Sequence, residues 1–196
     1  QSFNQKGLKL FVTNSSKEAL VIKVDPALLF EPSDTSFQDL MLPGNEMLYV
    51  GPGKTNAIEV QTYCAKSKAK SPDTNLVFSF KKQADSNMIK TFEYMRSIGV
   101  KTDLAQEAVW FLTDNNKSLS SVFHFGQEKE STLLVQFLSK LYKMPIPQYR
   151  TERGVNTAPG VIAQTQEVLK LHVNIEWEQS SPEVLSLSIF NSRNER

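Results

Sequence analysis

The segment NAIEVQTYC (Asn56–Cys64) follows the tight turn GPGK (Gly51–Lys54) and precedes a lysine-rich loop. Glycine permits positive φ in that turn and proline fixes its own φ. Ala57 or Ile58, Val60 and Thr62 mark an imperfect pleat, so the segment is expected to be a strand. EMLYV (Glu46–Val50), on the other side of the turn, is expected to be a further strand. Working back toward the start, GLKLFVT places Leu8, Leu10 and Val12 on one face. ALVIKV places Leu20, Ile22 and Val24 on one face and stops at Pro26. NSSKE (Asn14–Glu18) between them has turn composition. Working forward, NLVFSF (Asn75–Phe80) reads as a fifth strand. Short strands at this spacing predict an antiparallel sandwich or small barrel.

The period then changes. SNMIKTFEYMRSIG puts Ile89, Phe92, Met95 or Arg96, and Ile98 at helical spacing, with Ser86 as a candidate N-cap and Gly99 as a stop. DLAQEAVWFLTDNN carries an apolar stripe of Leu104, Ala108, Val109 and Leu112 behind an expected N-cap at Asp103. STLLVQFLSKLYKM turns Leu133, Leu134, Phe137, Leu138 and Leu141 inward and is closed by Pro145 and Pro147. Residues 145–166 are expected to be an irregular linker or long surface loop. Beyond them, VLKLHVNIEWEQ alternates Leu169, Leu171, Val173, Ile175 and Trp177 with polar residues. It is expected to form a hairpin with VLSLSIFN (Val184–Asn191) across Ser180-Ser181-Pro182. Two strands are not stable alone, so this hairpin is expected to join the first sheet or to begin a further domain.

The expected fold is therefore α+β: an immunoglobulin-like antiparallel β-sandwich, a helical subdomain over about 86–144, and a C-terminal β-hairpin. The domain reading is 1–144 for sandwich and helices, 145–166 for the linker and 167–196 for the hairpin.

Composition bounds the function classes. Among 196 residues, 40% are hydrophobic and 12 are Phe, enough for a real core. The net charge of +1 provides no general field for nucleic acid or anionic membranes. Lys66, Lys68 and Lys70 lack interleaved aromatics for stacking on bases and read as a solvated loop. No apolar run approaches the ~18 residues that a membrane span needs. There is no Gly-rich phosphate loop, no metal-ligand spacing and no sign of a cofactor. The chain begins Gln1-Ser2-Phe3, and its Ser/Thr/Asn-punctuated strands fit a processed, exported protein. Asn14-Ser15-Ser16 and Asn116-Lys117-Ser118 match the glycosylation acceptor pattern, and both read as turn chemistry. His172 reads as a surface residue on the polar face of a strand. His124 reads as a helix-end residue.

That leaves one cysteine, Cys64, which cannot form an internal disulfide. TYCA (Thr62–Ala65) resembles the Y-C motif that ends an early strand in bacterial surface thioester domains. AQEAVWFLTD (Ala105–Asp114) resembles their second motif, a helix opening with glutamine followed by a small residue, an aliphatic and Trp. The stretch from about Val21 to Asp114 is similar to a secreted bacterial family in which a Pro-Gly turn, a strand ending in cysteine and a Q-x-A-x-W helix recur. Ala105 stands where Thr is common in the Gram-positive members.

The resemblance implies an internal thioester between Cys64 and Gln106 that a target amine or hydroxyl could open. Tyr63, Trp110 and Phe111 would wall the site, Asp103 would orient the helix start, and first-turn amides would lend positive potential. The expected function is an exported, surface-associated binding or adhesion module acting on a protein or glycan target, beside neighbouring domains of a larger chain. Other readings stay open. Asp103 and Gln106 have the spacing of a capping box, and Cys64 could be a small buried hydrophobe in a non-reactive structural module. A cysteine hydrolase would need Cys64 beside His124.

Overall fold

In the computed structural model, residues 7–73, 75–114, 118–156 and 158–173 are described, with residue 188. The architecture is mixed α+β, with mostly antiparallel strands in several sheets and three helices. β1 (Leu8–Thr13) alternates half-buried and exposed residues, as its sequence period requires, and pairs with β6 (Thr55–Val60), setting Leu10 against Ile58. β2 (Leu20–Lys23) pairs with β5 (Met47–Val50), and the Gly51–Lys54 turn joins β5 to β6. Asn14 is buried in the turn after β1 and donates from Nδ2 to the Val50 and Glu18 carbonyls. It is turn chemistry, as expected. Asn116 and Lys117 lie outside the described residues.

The expected single strand Asn56–Cys64 is two. It breaks at Gln61-Thr62, and β7 (Tyr63–Ala65) enters a different sheet from β6. That sheet has the order β7-β4-β3-β8, from β3 (Leu28–Pro32), β4 (Asp39–Leu42) and β8 (Phe78–Gln83). β8 begins three residues later than NLVFSF predicted. β3 and β4 fall in segments where no strand is expected from the sequence. Residues Asp39 to Leu42 are all buried, so both faces of β4 are covered and no polar alternation marks it. The turn after β4 uses Gly44 at φ +81, where an added Cβ would collide with the Pro26 main chain.

The helices follow the sequence period. α1 (Ser86–Ser97) is capped by Asp85, whose Oδ1 accepts from Met88 N–H at 2.9 Å, and Gly99 at φ +73 ends it. α2 (Thr102–Thr113) and α3 (Glu128–Tyr142) follow, with a short 310 turn at Leu119–Ser121. Leu104, Val109, Leu134, Val135 and Leu138 are wholly buried against one face of the four-stranded sheet, which contributes Leu29, Met41, Tyr63 and Ala65.

The expected linker holds a strand. β9 (Tyr149–Val155) pairs antiparallel with β10 (Gln164–Val173), so the alternating segment finds its partner before it in sequence. β9 is mixed in exposure and its polar residues hide the strand from a periodicity reading. The expected partner Val184–Asn191 lies outside the described residues, as do Ile175 and Trp177, apart from the exposed Ser188.

Candidate functional site

Among the described residues β7 is an edge strand, paired with β4 through Met41↔Tyr63, Leu40↔Cys64 and Asp39↔Ala65. Its other edge would present unpaired main-chain groups. α2 lies along that edge and supplies side chains in place of a neighbouring strand. Gln106 Oε1 accepts from Cys64 N–H at 2.9 Å, and Gln106 Nε2 donates to the Cys64 carbonyl at 2.7 Å. Two residues on, Lys66 N–H donates to Thr113 Oγ1 at 3.3 Å. Ser67 then donates from N–H and Oγ to the Asp114 carboxylate. Gln106 and Thr113 lie seven positions apart, on one helix face. Cys64 is 4% exposed and Gln106 2%, so the pair is withdrawn from water.

Strand alternation divides the neighbours of Cys64. Tyr63 and Ala65 face the helical core, where Tyr63 stacks on Phe92 at 6.0 Å and burial raises its phenol pKa. Phe111 meets Tyr142 edge-on in that same core. Neither aromatic belongs to the cluster that holds Cys64, contrary to their expected place as walls. Cys64 clusters instead with Leu40, Trp110 and Ala163, against Leu8, Phe30 and Phe78. Of the expected aromatics, Trp110 is the wall. Its indole Nε1–H donates to Gln38 Oε1 at 3.0 Å, and Gln38 is itself wholly buried.

The start of α2 differs from the capping-box expectation. The N-cap is Lys101, with no side-chain cap bond, and its N–H donates to Gln127 Oε1 at 2.7 Å. Asp103 lies one residue inside the helix, where a carboxylate complements the positive end, and its Oδ2 is 3.7 Å from His124 Nε2. Ala105 N–H donates to the Lys101 carbonyl at 3.0 Å. The unpaired first-turn amides therefore end before Gln106, and the positive potential expected from them is not delivered there. The polarising donor at Gln106 Oε1 is the Cys64 amide.

The segment expected to be a linker covers the site. Ala163, fully buried, packs in the Cys64 cluster. Around it, Gln164 N–H donates to Ser67 O at 3.2 Å, Ala163 N–H to Ala69 O at 3.3 Å, and Ser71 N–H to Val161 O at 2.8 Å. Nothing local in the sequence around Ala163 signals this role.

The lysines after Cys64 are not all a solvated loop. Lys66 adopts φ 67, and its Nζ donates to Asp39 Oδ1 at 2.8 Å. Asp39 is 1% exposed and also receives Lys81 at 3.3 Å. The hydrogen bond from Lys81 to Glu31, joined by that to Asp39, raises the Lys81 pKa. Lys68 and Lys70 are exposed, with Lys70 5.6 Å over the Phe37 ring.

A groove of about 290 Å³ is lined by Glu107, Phe123, His124, Glu152, Arg153 and Gln164 among others. Gln164 Nε2 donates to Glu107 Oε2 at 3.3 Å. His172, expected to be a plain surface residue, lies 5.1 Å from Phe123 and 3.6 Å from Glu152, half-buried. Among the described residues no group of three or more metal-ligating side chains converges. No described helix is long and apolar enough to cross a membrane. The chain matches no family model, no curated protein and no solved structure.

Proposed function

We propose that the chain is a surface-associated binding module that attaches covalently through a Cys64–Gln106 thioester. One observation carries the reading. Two residues 42 positions apart, both buried, meet through paired hydrogen bonds that hold the Gln106 amide against the main chain of the residue bearing the thiol. An intramolecular acyl transfer needs its two reacting groups held close together, and these bonds support that requirement.

The chemistry follows from the partners. Cys64 Sγ attacks Gln106 Cδ as the Cys64 N–H, 2.9 Å from Oε1, supports the developing oxyanion. The Cδ–Nε2 bond breaks, and the amide nitrogen leaves as ammonia with the thiol proton. Leu40, Trp110 and Ala163 exclude water, which preserves the thioester until a nucleophile arrives. An amine or hydroxyl on a protein or glycan target then attacks Cδ and frees the Cys64 thiol. In this reading the ribbons β1–β6 and β2–β5 belong to an immunoglobulin-like part, exported and displayed beside other domains.

The non-reactive reading has its own support. Gln106 also satisfies an edge that would otherwise carry two orphaned groups. Intact-mass analysis of fresh protein separates the two. A thioester leaves the chain lighter by one ammonia, and methylamine adds its own mass and exposes a titratable thiol. Full mass with an alkylatable Cys64 in fresh protein rules the bond out. His124 is paired with Asp103, and no observation favours the hydrolase reading.

A further inference from the structure

Gln38 immediately precedes β4 and is wholly buried. Extended backbone alternates its side chains, so Gln38 and Leu40 share a face, and Leu40 packs in the cluster that holds Cys64. A buried amide costs free energy unless its polar atoms are bonded. Both ends of the Gln38 amide are. Oε1 accepts from Trp110 Nε1–H at 3.0 Å, and Nε2 donates to the Ala69 carbonyl at 3.4 Å. The same Ala69 carbonyl accepts from Ala163 N–H at 3.3 Å. One carboxamide thus links the Trp110 wall to the carbonyl that anchors Ala163, and both Trp110 and Ala163 pack in the Cys64 cluster. Trp110 stands one helical turn after Gln106, on the same side of α2. Rotation of its indole out of the cluster breaks the bond to Gln38.

We propose that Gln38 is a positioning residue that holds Trp110 and the Ala163 segment closed over the Cys64–Gln106 bond and so sets how fast water destroys it. This rests on the thioester reading above. Hydrolysis is the reaction that the site must resist. Water attacks Gln106 Cδ, the Cδ–Sγ bond breaks, and a proton passes to sulfur. The products are a carboxylic acid at position 106 and the Cys64 thiol, and the chain gains the mass of one water. That attack requires the apolar wall to open. Gln38 acts through Trp110 and touches neither reacting atom. The bond between them holds the wall shut by about a factor of ten. A methionine at position 38 would fill similar space and make neither bond, so the amide is what fixes the indole.

The test follows hydrolysis by intact mass, in buffer free of amines, on fresh protein carrying the ammonia deficit. Gln38→Met should hydrolyse about tenfold faster than wild type. Trp110→Phe keeps an aromatic ring, removes the N–H donor and should give a similar gain, so the same bond is tested by a second variant should Gln38→Met not fold. The double variant should react within about twofold of the faster single one, because both changes break one bond. Asp85→Ala removes the α1 cap and serves as the stability control. It should lower the urea midpoint and leave the hydrolysis rate unchanged. Equal rates in wild type and Gln38→Met, with the deficit present in both, overturn the assignment and leave the thioester standing. So does an equal acceleration by Asp85→Ala, which would reduce the effect to lost stability, and so does a double variant whose two gains multiply. A wild-type chain of full mass overturns the thioester and the assignment together.

Discussion

Replacing Cys64 with alanine separates the two readings of the Cys64–Gln106 pair by a measurable stability difference. The two hydrogen bonds to Gln106 use the main chain of residue 64, so they survive the substitution. Without a thioester, the change removes only one sulfur from a packed cluster, which costs about 1 kcal/mol. With a thioester, it also removes a cross-link between positions 42 apart. Loop-closure entropy for a ring of that size is worth about 4 kcal/mol. The expected loss is then about 5 kcal/mol in total. The chain has one cysteine, so no lost disulfide can imitate the effect. Urea denaturation of wild type, Cys64→Ala and methylamine-treated wild type provides the comparison. Methylamine opens the bond with no change of sequence and should cost about 4 kcal/mol by itself. A loss of about 1 kcal/mol for Cys64→Ala, together with no change after methylamine, would refute the cross-link.

Other outcomes test the surrounding geometry. Gln106→Ala removes both of its hydrogen bonds to the buried Cys64 main chain and should cost about 2–6 kcal/mol in urea even where no thioester forms. Asp39→Asn should cost about 1–2 kcal/mol, since Lys66 and Lys81 can turn to water. The double variant Lys66→Met/Lys81→Met strands a buried carboxylate and should cost about 3–5 kcal/mol, and the reverse order of losses would contradict the described pairing. Burial pushes the Tyr142 phenol from 10.0 up to about 12, with Asp85 adding to the rise. A raised folded pKa contributes stability that is complete below the unfolded value and is lost as pH climbs to the folded one. Unfolding midpoints should therefore fall between pH 10 and about 12 in wild type, and less steeply in Tyr142→Phe.

Legibility in the sequence followed periodicity. α1, α2 and α3 were readable because Ile89, Phe92, Leu104, Ala108, Leu134 and Leu138 recur at helical spacing. β1, β2 and β5 were readable because one face of each meets more solvent than the other. β4 was hidden because both its faces are buried, and β9 because its residues are mostly polar. Cys64 and Gln106 were readable as a pair through their motifs. Spacing alone points to Asp103 as the cap, because it does not show that Gln127, from beyond α2, holds the Lys101 amide. Sequence proximity puts Tyr63 and Phe111 near the thiol, but it does not tell which face of a strand or helix a residue takes.

By itself, then, the sequence determined the local elements, the lone thiol and the glutamine that could meet it. Each of these depends on residues a few positions apart. Tertiary structure alone decided that β7 is an edge, that α2 serves as its missing neighbour, and that a segment around Ala163, about 100 residues after Cys64, closes the site. Those outcomes depend on which main-chain groups lack a partner after the sheet forms. An edge strand must find donors and acceptors wherever the fold brings them.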